Sequence, residues 1–160
     1  MSSCRGLTKP ERSKKTGGGI VKKGAILCVD DEPIILLSLV QELKRTFGNE
    51  LAYERAMNAE AALATIEALE KEGVRVILII SDWLMPGIKG DEFLRIVHER
   101  YPDIRAIMIS GNADPEEMKE FRKLESLVAV FGKPWDRKRL AEAIRIVLRG
   151  WNIEPSDTDP

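Results

Sequence analysis

Four short apolar runs in this chain each lead into a residue whose side chain can interact with a phosphoryl group. The runs are 25–29, 76–81, 104–109 and 127–132, and they are followed by Asp30-Asp31, Asp82, Ser110 and Lys133. If the runs are parallel strands, their polar ends meet at one edge of the sheet. Open parallel sheets bind ligands at the carboxyl ends of their strands, so the pattern predicts a site together with a fold.

The segments between the apolar runs have the period of amphipathic helices. They cover 34–47, 59–70, 91–100, 114–126 and 137–148, and a further strand is expected at about 51–56. Strands that alternate with helices favour a doubly wound α/β domain, here a flavodoxin-like five-stranded parallel sheet of order 2-1-3-4-5 with five helices. In that order the switch point lies between strands one and three, which makes Asp30, Asp31 and Asp82 neighbours.

The charges of the chain are segregated although the net charge is only −1. Seven Lys or Arg residues and one Glu precede Ala25, whereas the charged residues after Gly150 are all acidic. We therefore expect a basic, disordered tail over 1–24, one domain over 25–150 and an acidic tail over 151–160. The basic tail is expected to increase solubility, and no direct binding to DNA is expected.

The chain carries no sign of export or membrane insertion. It lacks a secretory signal and an uninterrupted apolar run of the ~20 residues that a membrane span needs. Its two cysteines have no metal-type spacing, and Cys28 falls within a predicted buried strand. These features predict a cytoplasmic protein without a membrane partner.

The predicted cluster of three carboxylates needs a compensating charge. At ~4 Å and an effective dielectric near 20, each pair repels by about 4 kcal/mol. Oxygen ligands in an open, wet site favour Mg²⁺, which commonly bridges carboxylates to a phosphate. Lys133 adds a mobile positive charge, Ser110 adds a hydroxyl donor, and an aspartate such as Asp82 can itself be a nucleophile that forms an acyl phosphate.

Each of these residues also has an ordinary interpretation. Asp30-Asp31 could simply cap the following helix, Lys133 could be a surface charge, and the serine of Ser110-Gly111-Asn112 could lie in a turn. Asp82 is harder to explain in that way, because it follows the most apolar run. The joint occurrence of all four at one sheet edge favours a functional site.

From Ala25 to about Leu148 the chain resembles the receiver domains of the bacterial two-component response regulators, the CheY-like superfamily. The motifs that carry the resemblance are Asp30-Asp31 in Val-Asp-Asp-Glu-Pro, Asp82 in Ser-Asp-Trp-Leu-Met-Pro-Gly-Ile-Lys-Gly, Ser110 in Ile-Ser-Gly, and Lys133-Pro134. The resemblance implies that Asp82 accepts a phosphoryl group from a sensor histidine kinase. It also implies that such a chain is a phosphoacceptor, with no enzyme activity beyond self-phosphorylation and self-dephosphorylation.

The resemblance further assigns roles around Asp82. Asp31 and Asp82 ligate Mg²⁺ directly together with the backbone carbonyl of Leu84, and Asp30 acts through water. Ser110 and Lys133 hold the phosphoryl oxygens after transfer. Only ten residues follow Gly150, so we expect output through an effector protein in trans or through a homodimer, in either case by the 115–149 face.

The sequence departs from the family at positions that matter for switching. The family usually has an aromatic residue three positions before the lysine, where this chain has Val130; Phe131 lies one step later and should face the other side of the strand. Trp83 directly follows the acceptor, and we expect either a gate over the site or a surface-packing role. Trp135 is expected to anchor the start of the last helix.

Two enzyme-like or ligand-binding alternatives remain. A Mg²⁺-dependent phosphatase with an aspartyl nucleophile also needs an Asp at a strand end and a lysine, but such enzymes generally carry a second Asp where this chain has Leu84. A nucleotide-binding domain is less well supported, because no Gly-x-Gly-x-x-Gly follows the first strand and no Gly-Lys-Ser/Thr loop occurs.

Overall fold

Five strands and five helices alternate along the chain, as the sequence pattern predicts. In the computed structural model, which describes residues 22–111 and 115–154, the strands are β1 (Gly24–Val29), β2 (Leu51–Ala56), β3 (Val76–Asp82), β4 (Arg105–Ser110) and β5 (Leu127–Gly132). The helices are α1 (Pro33–Phe47), α2 (Ala59–Lys71), α3 (Gly90–Arg100), α4 (Pro115–Phe121) and α5 (Arg137–Gly150). The expected helix start at Asp114, the tail up to residue 21 and the tail from residue 155 lie outside the described residues.

The strands form one parallel sheet of order β2-β1-β3-β4-β5, which confirms the predicted fold class. Every residue of β1 and β3 is buried, because helices cover both faces of the sheet, and this explains why these strands are continuous apolar runs. The register pairs Val29 with Ser81, Asp82 with Ile109 and Ser110 with Gly132. The carboxyl ends of these four strands therefore lie within two residues of one another.

The sheet separates two apolar cores. Helices α2, α3 and α4 pack on one face and α1 and α5 on the other. Val130 and Phe131 are half-buried and pack against different cores, Val130 on the side of α2 to α4 and Phe131 on the side of α1 and α5. This alternation confirms that Phe131 faces away from the side on which Val130 lies.

The helix ends differ from the sequence expectation mainly at α1 and α4. Helix α1 begins at Pro33 with Glu32 as its cap residue, and no side chain caps it, so Asp30-Asp31 does not act as the cap that the sequence offered. Helix α4 ends at Phe121, five residues before the expected end at 126, because the backbone N–H groups of Lys123 and Leu124 bond three residues back, as in turns. At α5, Asp136 accepts hydrogen bonds from the backbone N–H groups of Lys138 and Arg139. In the stretches 22–111 and 115–154, no helix combines the length and the apolar character that crossing a membrane requires.

The reactivity of Cys28 tests whether β1 is buried inside the sheet. The side chain is fully buried, and burial raises the pKa of the thiol to about 12. In a Cys4→Ser variant, which leaves Cys28 as the only thiol, we expect no reaction with a disulfide reagent at pH 8 within minutes and full reaction after denaturation in guanidinium, because the attacking species is the thiolate. Rapid labelling of the folded variant would contradict a buried central β1.

Candidate functional site

Three carboxylates meet where β1 and β3 end. Asp30 and Asp31 directly follow β1, and Asp82 is the last residue of β3. Each contributes an oxygen atom, and these atoms lie within 4.8 Å of one another. Asp30 and Asp82 are buried and Asp31 is half-buried. The parallel pairing of β1 with β3 brings them together, as the sequence pattern predicted.

Backbone N–H groups hold one oxygen of each buried carboxylate. Asp30 Oδ1 accepts a hydrogen bond of 2.9 Å from the N–H of Glu32, and Asp82 Oδ1 accepts one of 2.8 Å from the N–H of Trp83. Hydrogen bonds to an ionised acceptor are stronger than neutral ones, so they fix the orientation of both groups. The second oxygen of each carboxylate, Oδ2, is directed toward Lys133.

Lys133 places its ammonium group among the acids. Its Nζ atom lies 2.9 Å from Asp30 Oδ2, 3.4 Å from Asp82 Oδ2 and 3.4 Å from Glu32 Oε1. The backbone N–H of Lys133 donates to the carbonyl of Ser110 at 3.1 Å, which ties the end of β5 to the end of β4. Glu32 is the one member of this group that the sequence reasoning did not single out, although it stands directly after Asp30-Asp31.

The pKa values of Asp82 and Lys133 are both raised, for different reasons. Burial raises the pKa of Asp82, and the neighbouring Asp30 raises it further, against the opposing effects of Lys133 and the N–H of Trp83. For Lys133, burial lowers the pKa, but the carboxylates of Asp30, Asp82 and Glu32 together outweigh burial and raise it. Lys133 therefore remains charged, and it only partly relieves the cost of ionising Asp82.

Ser110 and Leu84 lie at the end of β4 and in the loop after β3. Ser110 is buried at the end of β4. Leu84 lies two residues after Asp82 and exposes its side chain (49% exposed). The structure therefore brings Asp30, Asp31, Asp82 and Lys133 into one group, with Ser110 on the adjoining strand end and the backbone of Leu84 in the loop that follows Asp82.

Trp83 is neither a gate nor a surface residue, contrary to the sequence expectation. Its side chain is 1% exposed and belongs to the core beneath α2, α3 and α4. The indole packs edge-on against Phe121 of α4, with ring centroids 5.4 Å apart. The sequence pattern missed this because a residue just past a strand end can point either into the core or into solvent. Trp135 does act as expected, since its Nε1–H donates to Glu42 of α1 at 3.2 Å.

The donor set fits a hard divalent cation. All the clustered ligand atoms are carboxylate oxygens, and Asp31 keeps the cluster open to solvent on one side. Mg²⁺ prefers such ligands and retains several of its waters, so a partly exposed group of carboxylates is a suitable site for it. A depression of about 570 Å³ adjoins Asp31 and is bordered by Met57, Asn58 and Ile88.

Comparison with known proteins agrees with this geometry. Residues 26–145 match the family described as response regulator receiver domain. The chain is 34% identical over 133 residues to the hydrogenase transcriptional regulatory protein HoxA of Cupriavidus necator, a match that covers 83% of this chain and 26% of the relative. It is 30% identical over 126 residues to the sensor kinase CckA of Brucella abortus, covering 77% of this chain and 12% of that protein. The match thus spans about a quarter of the first relative and about an eighth of the second.

Solved structures show the same fold. A response regulator receiver domain protein (CheY-like) from Methanospirillum hungatei JF-1 superposes with a TM-score of 0.68 at 29% identity, covering 81% of this chain and 96% of that one. The signal receiver domain of an HD domain-containing protein from Pseudomonas fluorescens Pf-5 superposes with a TM-score of 0.69 at 27% identity, covering 81% and 97%.

Gly90 permits the close approach of α3 to the backbone of Asp82 and Trp83. A Cβ atom at this residue would overlap the backbone carbonyl oxygen of Asp82 and crowd Trp83. We expect Gly90→Ala to lower the free energy of unfolding by about 1–3 kcal/mol, as overpacking does. Urea denaturation measures this. The matched control is Gly150→Ala, since an added Cβ there meets nothing within 4 Å, and a control loss equal to that at Gly90 would contradict the steric explanation.

The raised pKa of Asp82 makes stability depend on pH in a defined direction. Because the folded state disfavours the charged carboxylate, Asp82 contributes stability while protonated at low pH and loses it as the pH rises. Asp82→Asn should therefore be more stable than the parent at pH 7 in the presence of EDTA, and the difference should shrink toward about pH 4. Urea titrations at several pH values measure it, and a less stable variant at pH 7 would contradict the electrostatic picture.

Proposed function

The chain belongs to the response regulator receiver domain family, and on that premise we propose that it signals by accepting a phosphoryl group on Asp82 from a sensor histidine kinase. The observation that carries the proposal is the environment of the Asp82 carboxylate. Its Oδ1 atom is held by the N–H of Trp83, while its Oδ2 atom faces Lys133 within a group of acids. One oxygen is thus oriented by the backbone and the other is directed at the centre of the site.

The proposed reaction is an in-line displacement at phosphorus. An oxygen of Asp82 attacks the phosphoryl group as the P–N bond of the phosphohistidine breaks, and the electron pair of that bond returns to the imidazole nitrogen. The product is an acyl phosphate on Asp82 and a histidine that is ready to be phosphorylated again. Little covalent chemistry is required of the protein, so positioning and charge compensation account for most of its contribution.

Charge compensation is divided between a cation and the side chains of the site. Asp31, Asp82 and the carbonyl of Leu84 would hold Mg²⁺, with Asp30 acting through water, and the ion would supply positive charge to the phosphoryl oxygens. Lys133 exchanges its present carboxylate partners for a phosphoryl oxygen, and Ser110 donates a hydrogen bond to another. The depression beside Asp31 leaves room for the donor to approach from the exposed side of the cluster.

The signal is proposed to leave the domain by protein contact in the cytoplasm. The 115–149 face includes α4, β5 and α5, and it is the surface that we assign to an effector protein in trans or to a second copy of the chain. The alternative of a metal-dependent phosphatase is less well supported, because such enzymes generally carry an aspartate two residues after the nucleophile. This chain has an exposed leucine, Leu84, at that position. Neither a DNA nor a membrane partner is proposed.

Phosphorylation by a small donor tests the assignment. The protein is incubated with acetyl phosphate, with and without Mg²⁺, and its intact mass is measured. We expect a Mg²⁺-dependent gain of one phosphoryl group that hydroxylamine removes, since acyl phosphates react with it, and no gain in Asp82→Asn.

Asp103→Asn is the matched control for this experiment. Asp103 is an exposed aspartate that precedes β4, at the amino end of the strands, and it pairs with Arg75. It should behave like the parent. A mass gain that survives in Asp82→Asn, or no gain in the parent, contradicts the proposal. Continuous phosphate release from a phosphomonoester would instead support the phosphatase.

A further inference from the structure

We propose that Trp83 is a positioning residue that couples the phosphorylation state of Asp82 to helix α4 through its contact with Phe121. The inference rests on the proposed function, since it needs a phosphoryl group on Asp82. The inference adds a route from Asp82 to the surface of α4. Neither the family assignment nor the geometry of the acids provides such a route.

The first link of this route is the backbone of Trp83. Its N–H donates to Asp82 Oδ1 at 2.8 Å, and its carbonyl accepts from the N–H of Gly90, also at 2.8 Å. Trp83 is thus held between the acceptor carboxylate and the first residue of α3. Any change at the carboxylate that alters the first hydrogen bond alters the backbone from which the indole extends.

The second link is the indole itself. It is fully buried, and it meets the ring of Phe121 at 5.4 Å with an interplanar angle of 79°. Edge-to-face pairs of this kind depend on orientation, because the positive edge of one ring faces the negative face of the other. Within residues 22–111 and 115–154 this is the only ring-to-ring contact, so no second aromatic pair there duplicates it.

The third link is the weak attachment of α4. This helix has only seven residues, too few for a helix to be stable by itself. Among its side chains that the structure describes, only Met118 and Phe121 are buried. Trp83 therefore contacts one of these two buried side chains. A small change in the geometry of that contact affects a large share of the buried packing of α4.

Strand β5 offers no aromatic residue on this side of the sheet. Val130 packs into the same core as Trp83 and Phe121, whereas Phe131 packs on the opposite side with α1 and α5. A ring on β5 therefore cannot transmit a change to α4 across this core. The contact between Trp83 and Phe121 is the aromatic connection that joins the acceptor strand to α4.

Phosphorylation changes the first link directly. The Oδ2 atom of Asp82 becomes the oxygen that bridges to phosphorus in an acyl phosphate, so Oδ1 changes from a charged carboxylate oxygen to a neutral carbonyl oxygen, which is a weaker acceptor. Lys133 is drawn to the phosphoryl group. The N–H of Trp83 then faces an altered acceptor. A shift of the indole that weakens an edge-to-face contact alters the opening equilibrium of α4 by about two- to tenfold.

Hydrogen exchange measured by mass spectrometry on the full chain tests the coupling. The parent is compared before and after treatment with acetyl phosphate and Mg²⁺, and peptides that cover 115–121 should change their exchange rate by about two- to tenfold. Phe121→Leu should be phosphorylated to the same extent, yet lose most of that change. Phe93→Leu is the matched control, because Phe93 is equally buried in the same core but lies on α3 and makes no ring contact with Trp83.

A second pair of variants separates coupling from simple packing. Trp83→Phe retains a ring and should keep most of the α4 response per phosphorylated molecule, whereas Trp83→Leu should lose it. An α4 response that is equal in Phe121→Leu and the parent, or that Phe93→Leu abolishes as fully, overturns the proposal. Equal responses in Trp83→Phe and Trp83→Leu overturn it as well.

The intact mass distinguishes a failure of the coupling from a failure of the proposed function. If the parent gains a phosphoryl group and α4 does not respond, only the coupling is wrong. If the parent gains none, both proposals fall, because no signal reaches Trp83.

Discussion

The mutual repulsion of the three carboxylates is the constraint on which the site depends, and Lys133 is the residue that counters it. Its Nζ atom lies 2.9 Å from Asp30 and 3.4 Å from Asp82, so a residue that follows the last strand interacts with residues at the ends of the first and third. This ion pair spans the sheet edge from β5 to β1. Because burial opposes the charge of both Asp82 and Lys133, the arrangement depends on the strand ends staying close together.

The register of the sheet is what keeps those ends together. Pairing of Val29 with Ser81 sets Asp30 beside Asp82, and the pairings of Asp82 with Ile109 and of Ser110 with Gly132 place Ser110 one residue and Lys133 two residues further along. A slip by one residue would move the acids to opposite sides of the pleat. The register in turn depends on helices that cover both faces, since the side chains of β1 and β3 have no exposed side. The core thus determines the geometry of the site even though no core side chain is charged.

The fold and the members of the cluster could be predicted from the sequence because both follow from the direction of the strands. Parallel strands must end at one edge, and the apolar runs were long enough to be recognised. Two features were not predictable in this way. Glu32 approaches Lys133 because the chain turns into α1 after Asp31, and Trp83 enters the core because α3 approaches closely at Gly90. Both depend on the path of loops, on which hydropathy patterns carry no information.

The position of Trp83 also bears on how a short helix can respond to a chemical change at a neighbouring strand end. A close-packed sheet changes its own shape little in response to such a change, because its interior has low compressibility. An element with few buried side chains moves more readily, since its equilibrium is sensitive to the loss of one contact. α4 is such an element, with Phe121 against an indole whose backbone N–H donates to Asp82. Under the proposed coupling, the stability of the sheet keeps the acids in place, and the weaker packing of α4 allows a change at Asp82 to reach the surface.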